Sequence, residues 1–108
     1  MTPDPSALVV LVTAPSAEKA LELGRALVGE RLAACASLVP GVRSIYWWEG
    51  RVQDEAEALL VLKTTRDRFE ALRDRTLALH PYQVPEVIAL PVEDGSAAYL
   101  DWLVRETR

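Results

Sequence analysis

Apolar residues change their period along this chain, and the changes mark out its elements. Residues 7 to 13, ALVVLVT, are an unalternating β-branched run, the pattern of a central strand covered on one face and crowded on the other. Pro15 and Ser16 break it, and Ser16 suits an N-cap with Glu18 in the first turn, where the helix dipole favours an anion. Ala20, Leu23, Gly24, Leu27 and Val28 then recur at helical spacing, with Gly24 allowing close approach, which predicts a first helix ending near residues 30 to 32. Residues 33 to 48 are rich in Val, Ile, Tyr and Trp, and Pro40-Gly41 predicts a bend or bulge in one long strand. A turn at Trp48-Glu49-Gly50 leads into a third strand, polar at first and apolar over Leu59–Leu62, reaching about Thr64. Strands two and three form a hairpin arm extending past the core.

Thr65 is placed to cap a second helix with Phe69, Leu72, Thr76 and Leu79 on one stripe, and His80-Pro81 stops it, because a residue before proline avoids helical angles. Val87–Val92 predicts a fourth strand, and Gly95-Ser96 opens a last helix with Tyr99, Leu100, Leu103 and Val104 inward. The order β-α-β-β-α-β-α is that of an α+β, ferredoxin-like (βαββαβ) sandwich with an antiparallel sheet of order 4-1-3-2 and an extra C-terminal helix. The prolines agree: Pro40 falls in strand two, and Pro85 and Pro91 bracket strand four, the two expected edges. Those edges also carry Val39, Val42, Ile45, Tyr46, Trp47, Trp48, Val87, Ile88 and Leu90, more apolar surface than a domain this small can cover. A homo-oligomer joined through edge strands two and four is therefore expected, with Trp47 and Trp48 filling its contacts.

Length and charge narrow the function classes. At 108 residues, 50% apolar and 26% charged, the chain suits one folded domain over residues 7 to 108, preceded by a disordered tail over 1 to 6. Its apolar runs are far shorter than the roughly 20 residues that span a bilayer, and MTPDPS lacks the basic and apolar regions of a signal peptide, so a cytoplasmic protein off the membrane is expected. A formal net charge of −4 opposes nucleic-acid binding, and Arg66, Arg68, Arg73 and Arg75 alternate with acids, as on a solvated helix face. One cysteine cannot form an internal disulfide.

No enzyme is expected. The single histidine has no partnered nucleophile pattern, and the chain lacks G-x-S-x-G, G-x-x-x-x-G-K and G-x-G-x-x-G. An acylphosphatase on this topology needs an asparagine and the sequence contains none. An RNA-recognition module needs rings on strand three, where ALLVLKTT has none.

Four separated blocks, ERLAACASLVPGVRSIYWWEG (30 to 50), LLVLKTT (59 to 65), HPYQVPEVIALPV (80 to 92) and YLDWL (99 to 103), resemble the divalent-cation tolerance (CutA) family in order and spacing, over about Leu8 to Trp102. The resemblance implies a ferredoxin-like homotrimer locked by strand pairing between subunits, and a trimeric function in binding divalent metal, copper included, and in metal tolerance. It points to Cys35, His80 and Glu86 as metal ligands, a thiolate and an imidazole suiting copper and a carboxylate suiting harder ions. Each has a second reading: Cys35 packed among small residues, His80 capping a helix C-terminus, Glu86 holding a backbone group or Lys63. Strand topology puts Cys35 and His80 at opposite ends of the sheet, so only an intersubunit arrangement unites them. The alternatives are a PII-like trimer holding a small effector in an intersubunit pocket of Lys63, Thr64, Tyr82 and Trp48, with Lys63 favouring an anion, and a rigid trimeric scaffold for a partner protein.

Overall fold

In a computed structural model, residues 7 to 108 are described; the tail expected over residues 1 to 6 lies outside them. The elements are β1 (Ala7–Ala14), α1 (Ala17–Gly29), β2 (Cys35–Trp48), β3 (Arg51–Thr65), α2 (Arg66–Leu79), β4 (Val87–Pro91) and α3 (Ala97–Glu106). The sheet runs β2-β3-β1-β4, every neighbour antiparallel, with β2 and β4 as its edges. Pro40 and Pro91 thus sit on edge strands, where a missing donor leaves no ladder bond unmade.

Alternation along β1 divides the sheet into two faces. Val10, Val12 and Ala14 pair with Leu62, Leu60 and Ala58, and these meet Leu23 and Leu27 of α1 and Leu72 of α2 in the main core. Helix α1 lies close on this face because of Gly24, where a Cβ would come within 3.3 Å of Ala36 Cβ and Leu60 Cδ2. Ser16 caps α1, accepting from the Lys19 N–H at 3.1 Å. Thr65 stands at the N-cap of α2, but its side chain makes no cap hydrogen bond and donates to the Asp67 carboxylate at 2.6 Å. The C-terminus closes over that spot, with Arg68 Nε donating to the Thr107 carbonyl at 2.6 Å and Arg108 pairing with Asp67 at 2.6 Å. In α3 the expected inward set is only partly inward: Leu103 is buried, whereas Tyr99 is 43% exposed, because α3 packs across the end of the sheet against Ala7 and Ala34.

Away from the Ala7 end, which α3 covers, the opposite face carries no helix. It consists of Val9, Leu11 and Thr13 on β1, Leu59, Val61 and Lys63 on β3, Ile88 and Leu90 on β4, and Cys35, Ser37 and Val39 on β2, as the register and the period-two alternation require. Past Ala14 the hairpin of β2 and β3 continues alone to Trp48 and Arg51, about 24 Å at about 3.4 Å per residue. The register shift between Val39 and Val42 is the expected bulge, with Gly41 at φ 73. The extra residue keeps the open face continuous along the arm: Val42, Ser44, Tyr46 and Trp48 share it with Glu57, Glu55, Gln53 and Arg51.

Candidate functional site

The segment HPYQVPE between α2 and β4 folds back over the root of the arm, and His80 holds it there. Its backbone N–H continues the helix ladder to the Thr76 carbonyl at 2.9 Å. Its ring Nε2 lies 2.7 Å from the Thr13 carbonyl, which can only accept, and Nδ1 accepts the Tyr82 N–H at 3.1 Å. These two bonds define the neutral Nε2–H tautomer and leave neither nitrogen free. His80 is 7% exposed, and its ring stacks at a tilt on Tyr82, centroids 4.7 Å apart. It therefore neither faces the dipole of α2 as a cation nor offers a lone pair to a ligand.

Tyr82, set by this anchor, reaches across to β3, where its hydroxyl donates to Glu57 Oε2 at 2.5 Å. Burial first, and then this hydrogen bond, push the Tyr82 phenol far above its usual range. The same motif recurs farther along the arm, where the Tyr46 hydroxyl donates to Glu55 and that bond pushes its pKa up to about 12. Between loop and arm lies a groove of about 660 Å³, with Tyr46, Trp48 and Tyr82 as rings, Glu57 and Glu86 as carboxylates, and no Lys or Arg in its lining. Glu86 is exposed and makes no hydrogen bond or ion pair among the described residues.

Cys35 occupies the other end of the open face. It is paired across the sheet with Lys63, whose ammonium lies 3.7 Å from its sulfur, and the Tyr99 hydroxyl lies 3.6 Å away on the α3 side. That contact is the first cause of a raised Tyr99 pKa, ahead of burial. From the Cys35–Lys63 pair to the Val42–Glu57 pair β3 runs from residue 63 to residue 57, about 20 Å.

The residues singled out in the sequence are therefore dispersed. Trp48, Tyr82 and Glu86 line the groove. Lys63 does not, and neither does Thr64, which faces the helices, is fully buried and donates to the Leu32 carbonyl at 2.6 Å. Cys35, His80 and Glu86 do not meet within one chain, and no group of three or more His, Cys, Asp or Glu suited to a metal occurs among the described residues. Lys63 beside Cys35 also opposes a cation there. Sequence reasoning missed Glu57, since an acid in the polar half of a hairpin looks solvated; a signal lay in its place just before the apolar run ALLVL, where the arm meets the body.

The CutA1 divalent ion tolerance family matches residues 8–106 of this chain. The chain belongs to that family. The divalent-cation tolerance protein CutA of Thermus thermophilus is 54% identical over 99 residues, covering 92% of this chain and 96% of that protein. Among solved structures, the divalent cation tolerance protein Cut A1 of the same organism superposes with a TM-score of 0.92 at 52% identity, covering 94% of this chain and 99% of that one. CutA1 from Oryza sativa does so with a TM-score of 0.93 at 48% identity, covering 95% and 94%. Set against the metal that the CutA1 family name implies, the donors of one chain fit in part: two carboxylates share the groove, while the thiol and the imidazole lie outside its lining. No helix among the described residues is long and apolar enough to cross a membrane.

Proposed function

We propose that this protein is a non-enzymatic, cytoplasmic homotrimer that binds divalent cations, copper among them, as part of the response to metal, and that the acidic groove between the arm and the HPYQVPE loop receives the cation. One observation carries the reading: the groove brings Glu57 and Glu86 together with no cationic side chain in its lining. In the low-dielectric shelter of the loop, such a lining favours positive charge and disfavours anions. An anionic effector loses its support, since Lys63 lies at the far end of the face beside Cys35.

Support for the trimer comes from the edges and the arm. Ile88 and Leu90 on β4 are 50% and 49% exposed, and Ile45 and Trp47 on the reverse face of the arm are 67% and 73% exposed. Edge strands with that much apolar surface pair with another chain or aggregate. Two carboxylates are few for a hard divalent ion, which takes about six oxygens, so a neighbouring copy or water supplies the rest. The non-enzymatic reading rests on the chain's one imidazole, whose nitrogens are both engaged well away from its one thiol.

Calorimetric titration with copper and with magnesium tests the groove. Glu57→Gln and Glu86→Gln are each expected to weaken binding about tenfold or more, with Cys35→Ala unchanged. Loss of binding in Cys35→Ala with both Gln variants unaffected would place the ion at the thiol and overturn the groove reading.

A further inference from the structure

Glu57 is the one buried carboxylate among the described residues. It is only 7% exposed, it lines the groove, and it accepts a single hydrogen bond, from the Tyr82 hydroxyl to Oε2. Its other oxygen has no hydrogen-bond partner, and no Lys, Arg or His pairs with it, among the described residues. A carboxylate withdrawn from water and left half-satisfied is expensive, and such groups persist where a counter-charge arrives from outside. Tyr82 has already committed its only proton to Glu57, so the missing donor comes from outside the chain.

The walls around that oxygen narrow the ligand's chemistry. A volume of about 660 Å³ falls in the range of organic-molecule sites, about 300 to 1,000 Å³, and far exceeds what a bare ion needs. Trp48, Tyr46 and Tyr82 present rings there, flanked by Pro81 and Val84. A hydrated metal ion gains little from such walls, whereas a weakly hydrated organic cation is attracted to the ring faces and packs its carbon stem on the apolar side chains. The free acceptor further requires that the cation carry an N–H.

We infer that the groove binds an organic ammonium ion, its N–H donating to the free oxygen of Glu57 and its apolar part lying against Trp48 and the neighbouring rings. The inference rests on the groove being the cation-favouring site proposed above and adds to the metal ion a second class of cation that it takes. Glu86, exposed at the groove, favours ligands with a second positive centre over those with one.

The test is a set of calorimetric titrations of the full chain with butylammonium, tetramethylammonium, butanol and magnesium. Butylammonium is expected to saturate one site per chain, tetramethylammonium to bind several-fold more weakly because it has no N–H, and butanol not to bind. Glu57→Gln keeps the acceptor for Tyr82 and removes the charge, and is expected to weaken butylammonium about tenfold or more. Trp48→Leu weakens it several-fold, about the weight of one cation–π contact, and serves if Glu57→Gln folds poorly. Equal binding of butanol and butylammonium, or an unchanged affinity in both variants, overturns the inference. Magnesium binding that depends on Glu57, with no butylammonium binding, sinks the organic cation and leaves the cation groove standing; binding of neither sinks both.

Discussion

The two ends of the open sheet face are built alike and charged oppositely. Each has a tyrosine hydroxyl brought in from outside the sheet onto a side chain of β2 or β3: Tyr99 of α3 onto Cys35, and Tyr82 of the HPYQVPE loop onto Glu57. At the first, Lys63 supplies a cation beside the acceptor. At the second, an acid is covered with no cation in the groove's lining, and Glu86 adds another carboxylate there. A single strand, β3, carries both Lys63 and Glu57 on one face about 20 Å apart. Family resemblance alone offers Cys35, His80 and Glu86 as metal ligands, and in one chain they belong to a thiol corner, a hydrogen-bonded anchor and an acidic groove.

Breaking the anchor is expected to have the largest effect. His80→Ala removes two hydrogen bonds, stranding the Thr13 carbonyl and the Tyr82 N–H, and is expected to cost roughly 2 to 4 kcal/mol in denaturant unfolding at fixed protein concentration. It also frees the loop that shapes the groove, so cation binding falls with stability although His80 touches no ligand. Full stability in this variant would show that the loop is held by something else. Tyr82→Phe comes next: it leaves Glu57 buried with no donor, an expected loss of about 1 to 3 kcal/mol that shrinks when Glu57→Gln is added to the same chain. Additive losses in that double-mutant cycle would separate the two residues energetically.

The smallest effect sharpens the contrast through titration. Both phenols are raised, so in each case the stabilisation is fully present below the usual phenol range and is lost as pH rises through it toward the folded-state value. Their causes differ in rank. Burial leads for Tyr82, so its phenolate absorbance in Glu57→Gln is expected to stay shifted to high pH; the contact with Cys35 leads for Tyr99, so Cys35→Ala is expected to return that phenol toward normal. The reverse pattern would mean that the groove is wetter than the thiol corner.

Much of this was legible in the order of residues. Ser16 as cap, Gly24 as the close approach, the Pro40-Gly41 bulge and the stop at His80-Pro81 all follow from local chemistry that acts within a few residues. Element sequence and proline placement then point to the ferredoxin-like topology, because few sheets accommodate β-α-β-β-α-β with breakers on two strands. Thr65 misled for a physical reason: its hydroxyl is a good cap in isolation, but Asp67 and the returning C-terminus compete for it. Tyr99 misled similarly, since helical periodicity marks a face and not how far the sheet extends beneath it.

What sequence determined by itself, then, was the run of elements, the two edge strands and the helix stop at the HPYQVPE turn, since these depend on period, backbone angles and missing donors. Only tertiary structure decided that His80 is an anchor, that Thr64 faces the helices, that Lys63 sits with Cys35, and that Glu57 is the buried charge of the groove. A side chain's charge is written in the sequence, but whether it meets water, a partner or neither depends on segments tens of residues away, and that burial sets its chemistry.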